Sequence, residues 1–234
     1  MAKRPRAKYS DTVSVLVGSA ESKFVVHSDI VCKRSKFFKA ACSGQWKEAT
    51  NRTVKLPIIH TITFRLFLDW LYAPAGSLMQ IIHTEVAEVA DNQGSQAAAE
   101  LLQVEAGKRV GSCYYLCSLW IVADFLDAVE LQYEAIDGLL TLPGRFVVPK
   151  PIVTKIWENT AAGSGLRLWL IDQMVASVDR TVLRITSAQN YPAELMFELL
   201  MRFVPTRVTQ TTGDQPNSAD RCKYHKHPDG EKCV

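Results

Sequence analysis

Four residues near the C-terminal end have the types and spacing to bind a metal: Cys222-x2-His225-x-His227-x5-Cys233. Two thiolates and two imidazoles saturate and neutralise a tetrahedral zinc ion, as in a closed structural site. Pro228-Asp229-Gly230 supplies a turn to bring Cys233 back, and Lys223, Lys226 and Lys232 favour the thiolate forms. A short tail has no core of its own, so the metal would supply its folding energy, on the order of 10 kcal/mol. The alternatives are a tail whose Cys and His cluster by chance and a tail that docks on the body of the protein. The spacing differs from that of the standard finger, with three of the four ligands inside six residues.

Other chemistry-bearing residues read more simply. Cys113 and Cys117 stand four apart on one helical pattern, which suits small buried hydrophobes better than a redox or metal pair, and Cys32 and Cys42 read the same way. His27, just before a helix start and with no second ligand close in sequence, reads as a satisfied structural histidine. Asp11 and Asp29 suit caps or turns. Gly163-Ser164-Gly165 lacks the preceding strand and following Lys of a phosphate loop, and neither a nucleophile elbow nor a metalloprotease His pair is present. Glu85, Glu88 and Asp91 recur at helical spacing, as on a solvated face. No small-molecule substrate is implied, and the chain reads as a non-enzyme.

Composition sets the frame for these residues. The chain has 234 residues, 47% hydrophobic and 22% charged, a globular balance. A net charge of +3 is too small to imply a nucleic-acid binder. The excess sits at the start, in Lys3, Arg4, Arg6 and Lys8, and leaves the middle near neutrality. Lys3-Arg4-Pro5-Arg6 is either a solvated terminus or a nuclear address or phosphate contact. No apolar stretch follows the basic start, and no run is long enough to span a bilayer. The expectation is a soluble intracellular protein of cytoplasm or nucleus, its six cysteines reduced or metal-bound.

Val13, Val15 and Val17 alternate with Thr12, Ser14 and Leu16, which predicts a strand. Gly18–Glu21 is a turn and Lys23–Val26 the returning strand of a hairpin. Ser28 and Asp29 suit a helix N-cap, with Ile30, Val31 and Cys32 on the apolar side; Ser35 caps a second short helix carrying Phe37 and Phe38, which Gly44 ends. Thr53–Leu56 is a third strand, closed by Pro57. A helix then opens at Thr61 or Thr63. Its Phe64, Phe67, Leu68 and Leu71 follow the helical period, while Leu66 and Trp70 lie on another face, so it is buried between two layers. The Ala-, Gln- and Glu-rich residues 75–111 read as an insertion or lid rather than core. Further helices follow over 113–126, 129–140, 152–157, 166–178 and 195–203, then a Thr-, Gly- and Pro-rich linker.

The ordered set Ser10-Asp11, Val13-Ser14-Val15, Phe24-Val25-Val26-His27, Ile30-Val31, Ser35, Phe37-Phe38, Phe64-Arg65-Leu66-Phe67 and Trp70-Leu71-Tyr72 resembles the BTB/POZ domain family. Leu119–Leu140, with Ala123-Asp124 and Leu131, is similar to its closing helix pair. More loosely, the chain resembles fungal BTB proteins with a helical C-terminal part and a terminal Cys/His cluster. The resemblance implies an α+β class: a small sheet flanked by helices over 10–140, a helical extension over 141–204, a disordered basic start at 1–9 and a linker with Cys/His-rich tail at 205–234. It implies a protein-binding scaffold or adaptor that self-associates or recruits a cullin-type ubiquitin ligase. Asp11, Phe24, His27, Phe37, Phe38, Phe64, Trp70 and Tyr72 would define the fold and its interaction surface. POZ domains of the transcription-factor type pair an acid at the Asp11 position with a base just after the His; here that position is Ser28. Those POZ domains also have a longer N-terminal segment that swaps between subunits; nine residues precede Ser10 here, so the resemblance does not by itself imply that swap. From another class, a nuclear regulator would touch nucleic acid through the basic start and the Cys/His tail, with binding that weakens in salt.

Overall fold

A computed structural model describes residues 11–43, 52–91, 99–144, 146–177, 191–203 and 222–225. The basic start, Gly44, the linker over 205–221, and His227 and Cys233 lie outside the described residues.

β1 (Thr12–Val17) and β2 (Ser22–His27) form the antiparallel hairpin that the alternating valines predict. Val13, Val15, Val17 and Val26 are buried on one face, while Ser14 and Leu16 are only half-buried on the other. The turn uses the left-handed region at Gly18 (φ 73°) and Glu21 (φ 50°). Glycine adopts it freely, and at Gly18 the backbone N–H also donates to the Leu56 carbonyl at 3.0 Å, tying the turn to β3 (Thr53–Leu56). β3 pairs in parallel with the other side of β1, Ser14 opposite Thr53 through Val17 opposite Leu56, and the sheet order is β2-β1-β3. A parallel pair needs a crossover rather than a hairpin. Helices α1 (Ser28–Arg34) and α2 (Lys36–Cys42) lie on that crossover.

The start of α1 differs from expectation. His27, not Ser28 or Asp29, takes the extended cap position, because it is still paired with Thr12 in the ladder. Ser28 instead donates both its N–H (2.9 Å) and its hydroxyl (3.0 Å) to the Asp11 carbonyl, closing the open end of the hairpin. Ser35 caps α2 as expected. Its Oγ accepts from the Phe38 N–H at 3.1 Å and donates to the Leu126 carbonyl at 2.6 Å, while the N–H groups of Lys36 and Phe37 donate to Asp127 and Leu126. The donors that a helix start leaves unsatisfied are thus spent on a distant loop, which fixes where α2 docks.

Helix α3 (Thr61–Tyr72) is buried on both predicted faces, through Phe64, Leu66, Phe67, Trp70 and Leu71. Phe64 meets Phe24 of β2 edge-on at 5.2 Å, and Phe67 and Trp70 continue the aromatic row at 5.6 and 5.9 Å. The segment expected to be a lid is corrected here. Residues Leu78–Asp91 form helix α4, whose Leu78, Ile82 and Val86 are buried in the main core. Those three recur every four residues, a stripe that the polar composition of 75–111 masks. Glu85, read as part of a solvated face, is also buried and pairs with Arg65 of α3. On the neighbouring helix α6 (Val129–Thr141), Gly138 leaves room for α4 and for helix α5 (Ala99–Phe125): a methyl there would come within 2.8 Å of Met79 Sδ and 2.9 Å of Leu116.

Helix α5 (Ala99–Phe125) and α6 (Val129–Thr141) are the predicted pair, with α5 longer than its apolar pattern. Helices α7 (Lys150–Asn159), α8 (Gly165–Ser177) and α9 (Ala193–Phe203) extend the same core through Ile156, Trp169, Leu170, Leu195 and Leu199. Arg167 joins α7 to α8: its guanidinium lies 4.2 Å from the Trp157 ring and donates to the carbonyls of Trp157 and Thr160 at 2.5 Å, satisfying acceptors at the end of α7. No helix among the described residues is long and apolar enough to cross a membrane.

Candidate interaction surface

Of the eight residues the sequence singles out for the interaction surface, three are interior. Phe38, Phe64 and Trp70 are fully buried and hold the layers together, so they are not contact residues. Phe24 and Phe37 are half-buried; Phe37 packs edge-on against Phe38 at 5.4 Å and tilts against Phe125 at 5.5 Å. Asp11 is exposed and its carboxylate lies 3.5 Å from Arg52, so its charge is met from the start of β3 while Ser28 holds its backbone.

His27 and Tyr72 form a clamp between the end of β2 and the end of α3. Tyr72 Oη accepts from the His27 backbone N–H at 3.0 Å and lies 2.9 Å from Nδ1. This satisfied, non-ligating geometry agrees with the structural role read from the sequence. The clamp leaves Tyr72 47% exposed, and Val25 is 59% exposed on the edge strand β2. Ile58, 79% exposed, and Ile62 flank the start of α3. Sequence patterning passes over Val25, Ile58 and Ile62, since a lone aliphatic residue at a turn or strand edge carries no periodic signal.

Arg34 is another residue the sequence did not reveal. It pairs with Glu130 of α6 at 3.1 Å, donates to the Trp70 carbonyl at 3.3 Å and stacks 4.2 Å over the Trp70 ring. One side chain thereby links α1, α3 and α6. On α3 and α4, Arg65 pairs with Glu85 and feels the charges of Asp69 and Glu88. Burial lifts the Asp69 carboxyl above its ordinary range, with Arg65 opposing and Glu85 and Glu88 adding to the rise.

The buried cysteines are thiols. Burial raises Cys117 well above the ordinary thiol value, with Cys113 4.0 Å away adding to it. Cys32 is pushed up to about 12, first by burial and then by its neighbour Cys42. A thiol that holds its proton is neither nucleophile nor metal ligand at neutral pH.

The tail is docked on the body at its described residues. Cys222 is exposed, but Tyr224 is buried among the core residues and donates from Oη to Asp172 of α8 at 2.9 Å. Lys223 reaches the same carboxylate oxygen at 2.5 Å, and Arg202 of α9 lies 3.4 Å from its other oxygen. His225 stacks flat on Tyr133 of α6, centroids 4.1 Å apart, and its Nε2 lies 3.4 Å from Asp137. Of the four metal-ligand candidates only Cys222 and His225 are described, and among the described residues no group of three His, Cys, Asp or Glu side chains is arranged to hold a metal.

Residues 2–110 match the family model of the BTB/POZ domain, and no curated protein matches the sequence. The matched region contains the whole sheet and α1 to α4. The fold is accordingly α+β: a BTB domain with a small mixed three-stranded sheet flanked by helices, and further helices after it.

Proposed function

We propose that this BTB/POZ protein works as an interaction scaffold or adaptor, contacting partners through exposed apolar side chains of β2 and near the two ends of α3. BTB/POZ domains are in general protein–protein interaction modules rather than enzymes. The observation that carries the proposal is the exposure of Val25, Ile58, Ile62 and Tyr72 on one domain whose core is otherwise filled. Covering such side chains on association releases on the order of 1–3 kcal/mol each when burial is complete. The sheet adds a means of docking: β2 and β3 are its two edges, and edge strands accept partner chains.

Self-association and recruitment of a cullin-type scaffold are the two forms the proposal takes. Affinity purification of the full chain with mass spectrometry separates them, with light scattering to give the stoichiometry. Recovery of a cullin selects the adaptor, and recovery of a second copy selects the scaffold. Ile58→Asp, at a position already in water, should abolish either while leaving the circular dichroism unchanged. A partner retained by Ile58→Asp and by Val25→Lys would overturn the surface.

A structural zinc on Cys222, His225, His227 and Cys233 is also proposed, supported by residue type alone; His225 would have to bind it through Nδ1, since its Nε2 faces Asp137. It requires close to one zinc per chain after gel filtration. Zinc-free protein with freely titrating Cys222 and Cys233 ends it.

A further inference from the structure

The face formed by α6 and α8 presents two carboxylates, Asp137 and Asp172, and the chain lays its own residues 222–225 across them. Three independent features mark this as recognition rather than passive contact. Two side chains of the segment meet a complementary group, the ammonium and the phenol both on Asp172, and the imidazole ring lies flat on Tyr133 with its Nε2 3.4 Å from Asp137. Tyr224 is 4% exposed, so an aromatic side chain of the tail is part of the main core. The third feature is Gly165, the first residue of α8. A methyl on it would overlap the Tyr224 carbonyl oxygen and lie 2.8 Å from the carbonyl carbon. Glycine is among the poorest helix residues, so its place here suits the close approach of a second backbone rather than the helix.

We propose that the groove between α6 and α8 is a peptide-recognition site closed in cis by residues 222–225, its ligand chemistry being a cation, a tyrosine and an imidazole in succession. The occupant is this chain's own tail. A tethered segment acts at an effective concentration in the millimolar range, so the resident tail excludes the same peptide offered in trans at micromolar levels. The closed groove keeps α8 and α6 bridged, and release of the tail uncovers Asp137, Asp172 and Tyr133 together.

The test uses the full chain, a fluorescent synthetic peptide of residues 221–226, and amide exchange over 222–225. In the unaltered chain exchange over 222–225 is slowed at least tenfold and the peptide does not bind. In Lys223→Glu, a change confined to the tail, protection is lost and the peptide binds saturably to the vacated groove. In Gly165→Ala protection is lost but the peptide does not bind, because the methyl blocks tail and peptide alike. Helix content should be unchanged in both. Equal exchange in all three chains overturns the proposal, as does a peptide that ignores Lys223→Glu or binds Gly165→Ala equally well. Protection that rises with protein concentration, with a dimer in light scattering, would place the tail in a second copy and overturn the assignment in cis.

Discussion

The phenol oxygen of Tyr72 meets both the backbone N–H and the ring Nδ1 of His27, at 3.0 and 2.9 Å, with the two rings edge to face at 5.8 Å. The final residue of α3 is thereby pinned to the final residue of β2, 45 positions earlier. Removing only the oxygen, in Tyr72→Phe, should cost about 1 kcal/mol, the net worth of a hydrogen bond at a site where water can replace part of it. Urea unfolding measures this, and an unchanged midpoint would show that the clamp contributes no stability.

The burial of α4 makes a sharper prediction. Ile82 is fully buried, and Ile82→Ala should destabilise by about 2–4 kcal/mol, as for large-to-small changes in a packed core. A lid lying over the surface would lose less than about 0.5 kcal/mol, as surface substitutions do. Denaturant midpoints for this variant distinguish the two outcomes clearly.

Asp69 carries a pH dependence whose sign is opposite to that of an ordinary paired carboxylate. Its folded value is raised from 3.8, chiefly by burial, so the folded state disfavours the ionised form. The associated stability is complete below the unfolded value and is lost as pH rises through the folded one. Asp69→Asn should therefore be slightly more stable than the parent at pH 7, by no more than about 0.5 kcal/mol, since the site is partly solvated. Thermal melts should show that gain shrinking as pH falls through the raised folded value and gone below 3.8. A gain independent of pH would mean the carboxylate's charge is not its source.

The cysteines should divide by reactivity. At pH 8 a thiol-directed disulfide reagent should modify exposed Cys222 promptly and leave Cys113 and Cys117 untouched until the protein unfolds. Cys32, held near 12, should react far more slowly than an ordinary thiol. Its raised value also means that its stability is complete below pH 9 and is lost as pH rises from there toward 12. Prompt labelling of Cys117 in the native protein would contradict the packing of α5.

Periodic apolar residues carried much of the fold openly. The valines of β1, the double-sided pattern of α3 and the Leu119–Leu140 pair each lie where their spacing indicates. The Ser35 cap was equally legible, because an N-cap is a local hydrogen bond between residues three apart. The core role of α4 was missed where three apolar residues were diluted among Gln, Glu, Thr and Ala, since composition averages over faces that a helix separates.

By itself the sequence determined the order of the strands and of most helices, because each rests on local periodicity, and the resemblance carried by its residues implied the α+β class. Only the tertiary structure decided which of the marked aromatics face water, which base answers Asp11, and that Lys223, Tyr224 and His225 lie on α6 and α8. Those outcomes depend on contacts between residues tens of positions apart. The same Phe or Tyr is core or surface according to which neighbour closes over it, and no spacing along the chain encodes that.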